Sequence, residues 1–243
     1  MHLLLLHAFP LSSGMWADLK ADLEREGHTV LTPDFPGFGG TPGAVSGLPD
    51  LAGQMWTLLE SHPDANLVIG GLSMGGYLTM EMLRQRPADP RVRGLIFAST
   101  KLEADGDEAR ASREAQARRA LETGSVAFLE TELLPKLLGP NASEAAREKA
   151  LALLCQASPE GVAGAQRAMA ARPDSRAVLE RVQVPTLVLA GEHDFVTPPE
   201  TVRHIAQTVP GARFHRLRGA GHLANLECPE FSGRVLDFVR ALG

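Results

Sequence analysis

The most informative stretch of this chain is residues 66–86, with the sequence NLVIGGLSMGGYLTMEMLRQR. The apolar run at residues 67–69 stops at Gly70 and Gly71, and an amphipathic segment of helical length follows over residues 74–86. This order predicts a buried strand, a sharp turn and a helix.

The turn in this stretch holds a serine between glycines. Gly71, Ser73 and Gly75 form a G-x-S-x-G pattern, which between a strand and a helix is typical of a strained turn that presents a serine hydroxyl at a helix N-terminus. Side chains at the two glycine positions would collide with the neighbouring strand and helix. The pattern therefore predicts Ser73 as a nucleophile.

Length and composition narrow the class of protein. We expect one domain over residues 1–243, because this length suffices for one large domain with a deep core. A hydrophobic content of 44%, a charged content of 22% and a net charge of −5 are typical of a soluble enzyme and exclude a basic nucleic-acid-binding protein. The leucines at residues 3–6 are too few for a signal peptide, and no apolar run is long enough to span a membrane.

The two cysteines, Cys155 and Cys228, lie far apart and form no C-x-x-C pattern. Reduced cysteines of this kind are usual in the cytoplasm, so the sequence predicts a cytoplasmic protein without a disulfide. The oligomeric state stays open.

Strand and helix patterns alternate along both ends of the chain. Strands are predicted at residues 2–6, 28–32, 67–69, 92–98, 185–190 and 212–217. Helices are predicted at residues 16–26, 51–61, 74–86 and 199–207, with a closing helix that ends at residue 242. The alternation predicts an α/β fold with a doubly wound, mostly parallel sheet of about six strands. If the first strand lies centrally, the second and third flank it, and ligands bind at the carboxyl ends of the strands there.

Residues 101–181 carry no strand pattern, and their glycine and proline breaks predict four or five helices. Because this segment follows the carboxyl end of a strand, we expect a helical lid over the site, inserted between core segments 1–100 and 182–243. The arginines of this segment alternate with glutamates, which favours a solvated helix face over an anion-binding site. These arginines are Arg110, Arg113, Arg118 and Arg119. Met169, with Ala165, Ala168 and Ala170, suits either an apolar pocket or ordinary core packing.

A serine nucleophile needs a base, and the base needs an acid that fixes its tautomer. Asp194 follows the strand at residues 185–190, and His222 follows the strand at residues 212–217. The chain order Ser, Asp, His belongs to hydrolases with this kind of serine turn. The sequence therefore predicts Ser73 as nucleophile, Asp194 as acid and His222 as base.

Three other residues compete for these roles. Glu192 and His193 adjoin Asp194, and Asp34 ends the second predicted strand. Asp194 is preferred because it lies latest in its loop, where its side chain can swing toward His222.

The tetrahedral intermediate of acyl transfer needs backbone N–H donors. We predict that Met74, directly after the nucleophile, supplies one and that Phe9, in the loop after the first strand, supplies the other. His7 then braces that loop rather than acting as a base. Metal-binding and phosphate-binding motifs are absent, so the sequence predicts no metal and no cofactor.

Five segments in chain order resemble motifs of the α/β-hydrolase family: HAFPLSSGMW, DFPGFGG, GLSMGG, GEHDFVTPP and GAGHLANLECPE. They stand where that family has its oxyanion loop, second-strand loop, nucleophile turn, acid and histidine. The resemblance covers residues 3–100 and 184–241 and implies the same five site residues, Ser73, Asp194, His222, Phe9 and Met74, without a cofactor. The sequence departs from the family in two ways. Ala8 replaces the glycine usual in the oxyanion loop, and the chain starts on what is normally the third strand.

Within the family, the segments around Asp194 and His222 are similar to those of small carboxylesterases and 3-oxoadipate enol-lactonases. This implies a serine hydrolase that cleaves carboxylic esters of small to medium, largely apolar substrates through an acyl-enzyme on Ser73. With one Tyr and two Trp in the chain, we expect a pocket lined by aliphatic side chains. The alternatives are a lactone hydrolase, a carbon–carbon bond hydrolase or perhydrolase, and a ligand-binding member without turnover. In each case the partner is a small molecule, an ester or lactone for the hydrolases, and not a nucleic acid or a membrane.

Overall fold

The computed structural model describes all residues, 1–243. Six parallel strands form one sheet in the order β2-β1-β3-β4-β5-β6. The strands are β1 (His2–Leu6), β2 (Thr29–Leu31), β3 (Leu67–Leu72), β4 (Val92–Ala98), β5 (Thr186–Gly191) and β6 (Arg213–Leu217). The α/β prediction is confirmed, and β1 lies between β2 and β3 as expected.

Helices connect the strands and cover both faces of the sheet. They are α1 (Ala17–Arg25), α2 (Leu48–Glu60), α3 (Met74–Gln85), α4 (Asp107–Thr123), α5 (Phe128–Glu132), α6 (Leu134–Leu137), α7 (Glu144–Leu154), α8 (Pro159–Ala170), α9 (Arg176–Leu179), α10 (Pro199–Thr208), α11 (Ala224–Glu227) and α12 (Pro229–Arg240). A short 3-10 turn, Ser13–Trp16, precedes α1. None of the helices combines the length and apolar character needed to cross a bilayer.

The sheet separates two hydrophobic clusters. Leu4 and Leu6 of β1 belong to the cluster that includes Trp56 of α2, whereas Leu3 and Leu5 belong to the cluster on the other face. Burial on both faces explains why β1 reads as a continuous apolar run rather than an alternating one.

Two predicted boundaries are wrong for a clear physical reason. β3 runs through Gly70 and Gly71 to Leu72, because the backbone there is paired with strands on both sides. A side chain at Gly70 would also lie too close to β4, since its Cβ would be 2.9 Å from the Cβ of Ile96. The predicted closing helix divides before Pro229, which begins α12 at a position where the missing N–H costs nothing.

The segment between β4 and β5 contains six helices, α4 to α9, rather than four or five. Helix α4 packs against α8. Because all six strands are parallel, the segments that follow β1, β3, β4, β5 and β6 emerge at one edge of the sheet. This edge therefore collects the residues whose chemistry the sequence singles out. Both cysteines are free, as predicted.

Candidate active site

Ser73 lies in the turn between β3 and α3 with an unusual backbone. Its φ of 54° and ψ of −112° are rare for a residue other than glycine. Neighbouring groups fix this conformation: the N–H of Ser73 donates to Ala98 O at 2.9 Å, and its carbonyl accepts from Gly76 N, Tyr77 N and Thr100 Oγ1. Strained backbone of this kind persists only where the surroundings determine it, and it is common at active sites.

The glycines on either side of Ser73 are required by close packing. A Cβ at Gly71 would lie 2.1 Å from the carbonyl carbon of Gly75. A Cβ at Gly75 would lie 2.1 Å from the carbonyl oxygen of Leu6 on β1. The collisions expected from the sequence are therefore present, and they involve backbone atoms that cannot rotate away.

Asp194 and His222 form a buried pair at the same edge of the sheet. The Nδ1 atom of His222 lies 2.9 Å from Oδ2 of Asp194, and both side chains are almost completely buried. The Oδ1 atom of Asp194 accepts N–H bonds from Val196 at 2.9 Å and Thr197 at 2.8 Å, which fix the carboxylate. Because the carboxylate can only accept, it holds the imidazole proton on Nδ1 and leaves Nε2 as the basic nitrogen.

The competing residues have other partners. Arg216 donates to Glu192 at 2.6 Å, which lowers the pKa of this carboxyl group. His193 lies beside Glu192 at the surface, with 3.9 Å between Nε2 and Oε2. Asp34 accepts the N–H of Ser13 at 2.6 Å and so braces the loop after β1. None of these three side chains lines the cavity beside Ser73.

The loop after β1 is braced by a buried histidine. His7 Nδ1 donates to Ala8 O at 3.0 Å, and His7 Nε2 accepts the N–H of Phe35 at 3.1 Å. Burial lowers the pKa of His7 to about 4, so the ring is neutral and has both nitrogens engaged. His7 is therefore a structural residue, as the sequence indicates. The methyl group of Ala8 is completely buried, so the residue that departs from the family is accommodated in the core.

Two N–H groups are available near the serine. Met74 is the first residue of α3, where the N–H groups of a helix have no partner within the helix. The N–H of Phe9 donates to no other group of the protein, and Phe9 lines the same cavity as Ser73.

A cavity of about 300 Å³ opens beside Ser73 and His222. Its apolar lining comprises Phe9, Tyr77, Ala109, Leu133, Leu137, Met169 and Val196. Its polar lining includes Lys101, Asp105, Ser112, Arg113, Gln116, Gln166 and Thr197. The expectation of an aliphatic pocket is therefore wrong for one wall. The structure contains no group of three or more side chains that could hold a metal ion.

Arg113 contradicts the interpretation of the α4 arginines as a solvated face. Arg110, Arg118 and Arg119 are exposed, as predicted. The side chain of Arg113 is only 21% exposed and donates to Asp105 at 2.6 Å and Gln166 at 2.8 Å.

The sequence gives a signal for only part of the polar wall of the cavity. The small residues Ala117 and Ala120 lie on α4 near the face of Arg113, and this spacing indicates a packed face among the charges. No sequence pattern marks Lys101 or Asp105, which lie in the loop between β4 and α4.

The chain matches the model of the alpha/beta hydrolase family over residues 3–232. A thermophilic esterase from Thermogutta terrifontis, in a malate-bound structure, is 33% identical in sequence and superposes with a TM-score of 0.93. The match covers 100% of this chain and 90% of the esterase chain. The enol-lactonase from Burkholderia xenovorans LB400 is 28% identical, and the match covers 98% of this chain and 91% of the enol-lactonase with a TM-score of 0.84.

Among curated proteins, a pimeloyl-[acyl-carrier protein] methyl ester esterase from Aromatoleum aromaticum is 30% identical over 98% of this chain and 97% of its own length. The family match extends over nearly the whole sequence and includes all the segments that carry Ser73, Asp194 and His222. This chain therefore belongs to the alpha/beta hydrolase family.

Proposed function

We propose that this protein is a serine hydrolase that cleaves carboxylic esters of small to medium-sized substrates through an acyl-enzyme on Ser73. The observation that carries the proposal is the buried His222–Asp194 pair, whose histidine lines the same cavity as a serine held in a strained turn. This combination supplies a nucleophile, a base of defined tautomer and a fixed acid.

The proposed reaction begins with attack by Ser73 Oγ on the ester carbonyl while Nε2 of His222 takes the serine proton. The N–H groups of Phe9 and Met74 stabilise the negative charge on the carbonyl oxygen. His222 then protonates the departing alcohol, and Asp194 stabilises the imidazolium that forms in between. Water, deprotonated by His222, hydrolyses the acyl-enzyme and regenerates the serine.

Ester cleavage is favoured by two of the similar proteins, which are an esterase and a methyl ester esterase. The enol-lactonase among the solved structures supports lactone hydrolysis as the second candidate. A lactone is a cyclic ester, so the same residues would perform the same steps, and the alcohol would stay attached to the acyl group.

We further propose that residues 101–181 act as a lid, because α4, α6 and α8 contribute Arg113, Leu137 and Met169 to the cavity. A cover of this kind excludes water during the reaction and selects substrates by shape. The two free cysteines suit the reducing cytoplasm.

A pH-stat assay tests the proposal with a panel of short to long acyl esters, thioesters and simple lactones. Wild-type protein should release acid from members of the panel, and Ser73→Ala should lose on the order of a thousandfold or more in rate. Ser61→Ala, at the exposed end of α2, is the matched control and should keep wild-type activity. Activity in Ser73→Ala close to that of wild type would contradict the mechanism. Absence of turnover in both proteins would favour carbon–carbon cleavage or ligand binding.

A further inference from the structure

Three cations surround one buried carboxylate in the wall of the cavity. The side chain of Asp105 is 1% exposed and lies 3.1 Å from Lys101 Nζ, 2.6 Å from Arg113 Nε and 2.8 Å from Arg172 Nη2. Burial alone would raise the pKa of Asp105, but the hydrogen bonds and charges of Arg172 and Arg113 hold it well below its usual range. The carboxylate is therefore ionised and compensates only one of the three positive charges.

Arg172 is the most deeply buried of the three cations. Its side chain is 5% exposed, and it also donates to the carbonyl oxygens of Met169 at 2.7 Å and Glu103 at 3.1 Å. Its guanidinium lies over the ring of Tyr77, 3.9 Å from the centroid. With its donors directed to these acceptors and its face on an aromatic ring, Arg172 is a structural part of the wall and does not line the cavity.

Lys101 and Arg113 are left with donors directed to no protein acceptor. The ammonium group of Lys101 has three N–H donors and one partner, Asp105. In Arg113, Nε contacts Asp105 and Nη1 contacts Gln166 and Met169, whereas Nη2 has no protein partner. Both side chains are partly buried, at 27% and 21% exposure.

The same wall orients the guanidinium of Arg113. Gln166 is 2% exposed, accepts from Arg113 Nη1 at 2.8 Å, and donates through Nε2 to Gln116 at 2.6 Å. Since Asp105 is the only acidic side chain that lines the cavity, no other protein group compensates the remaining positive charge there. An anion bound between Lys101 and Arg113 would accept from these free donors and compensate the remaining charge.

We propose that Lys101 and Arg113 bind an anionic carboxylate of the substrate, so that the preferred esters are half-esters of dicarboxylic acids. The planar fork of an arginine suits the two oxygens of a carboxylate, and the lysine adds a point charge. This inference rests on the proposed ester hydrolysis for its substrate, but the binding of a dicarboxylate does not depend on turnover. A phosphate group would engage the same donors, so the test includes one.

The kinetic arm compares monoethyl adipate with ethyl hexanoate, its neutral counterpart of equal chain length, and repeats the comparison for the succinate-to-suberate series. Wild-type protein should show kcat/KM for the preferred half-ester about tenfold or more above that for the neutral ester, mainly through a lower KM. In Lys101→Met and Arg113→Met the ratio should fall toward one. Arg118→Met, on the exposed side of α4, should keep the wild-type ratio.

The binding arm uses the Ser73→Ala protein, calorimetry, and adipate or n-butyl phosphate as the ligand. Adipate should bind, and the added substitution Lys101→Met should weaken this binding about tenfold or more. Adipate binding that depends on Lys101, without turnover of any ester by wild type, would support the carboxylate site and overturn the hydrolase proposal. Turnover of neutral and half-esters at equal kcat/KM, without Lys101-dependent adipate binding, would overturn the carboxylate site alone. Tighter binding of n-butyl phosphate than of adipate would also overturn it.

Discussion

Ser73 takes a backbone conformation that usually needs glycine, although it carries a side chain. Glycines stand two residues before and two residues after it, at positions 71 and 75. The G-x-S-x-G pattern predicts this arrangement, because each glycine is required by a contact between backbone atoms. The sequence alone could not exclude Glu192 or Asp34 from a catalytic role. Their partners, Arg216 and Ser13, are brought to them only by the fold.

Gly75→Ala should strongly destabilise the protein, since the added Cβ would lie 2.1 Å from the carbonyl oxygen of Leu6. We expect a loss of about 3 kcal/mol or more in the free energy of unfolding, measured by urea denaturation. Gly53→Ala is the control on α2: its Cβ meets nothing within 4 Å, and it should stabilise by about 0.5–1 kcal/mol. Equal stability of the two variants would contradict the close packing of α3 on β1.

His7 should make stability fall in acid. Burial lowers the pKa of His7 from 6.5 to about 4, so between these values the unfolded state binds a proton that the folded state does not. The free energy of unfolding should therefore fall as the pH decreases through this window, by about 3 kcal/mol from this group.

Urea denaturation across this pH range checks the expectation for His7. The variant His7→Asn should lose this part of the pH dependence, whereas His193→Asn, at the surface, should keep it. A His7→Asn variant with the wild-type pH dependence would contradict a buried neutral imidazole.

At the scale of elements, the order and type of the strands follow from apolar runs and glycine breaks, whereas their ends depend on pairing. β3 continues through two glycines because its neighbours pair with it there. Charges alternate along helix α4, and only its small residues mark the side that packs against the rest of the protein. Arg113 lies on the side of α4 that contacts Gln166 of α8, whereas Arg110 is exposed.

Glu227 of α11 connects the His222 loop to the segment after α6. Its carboxylate accepts the N–H of Gly139 at 2.6 Å and of Gly221 at 3.1 Å, and burial raises its pKa. Glu227→Ala leaves two N–H groups without their acceptor, so we expect a loss of about 2–4 kcal/mol in the free energy of unfolding.

Urea denaturation of a matched pair tests the role of Glu227. Glu230→Ala, which removes an exposed ion pair with Arg234, should change the free energy of unfolding by less than about 1 kcal/mol. A loss in Glu227→Ala no larger than in Glu230→Ala would show that this carboxylate does not hold the two segments together.

At the scale of the whole molecule, parallel strands bring distant parts of the chain to one edge. The alternation of strands and helices predicts this edge, and therefore predicts that Ser73, Asp194 and His222 meet near it. The charged wall of the cavity could not be predicted in the same way. Arg113 is oriented toward Asp105 where α4 packs against α8, through its contact with Gln166, and no local pattern encodes that packing.

Covalent labelling with a fluorophosphonate, followed by proteolysis and mass spectrometry, tests directly whether Ser73 is the nucleophile. Activation of Ser73 by His222 should give one adduct, on the peptide that contains Ser73. The adduct should be absent from Ser73→Ala and strongly reduced in His222→Ala. An unlabelled wild-type protein, or an adduct on any other residue, would contradict the assignment of Ser73 as the nucleophile.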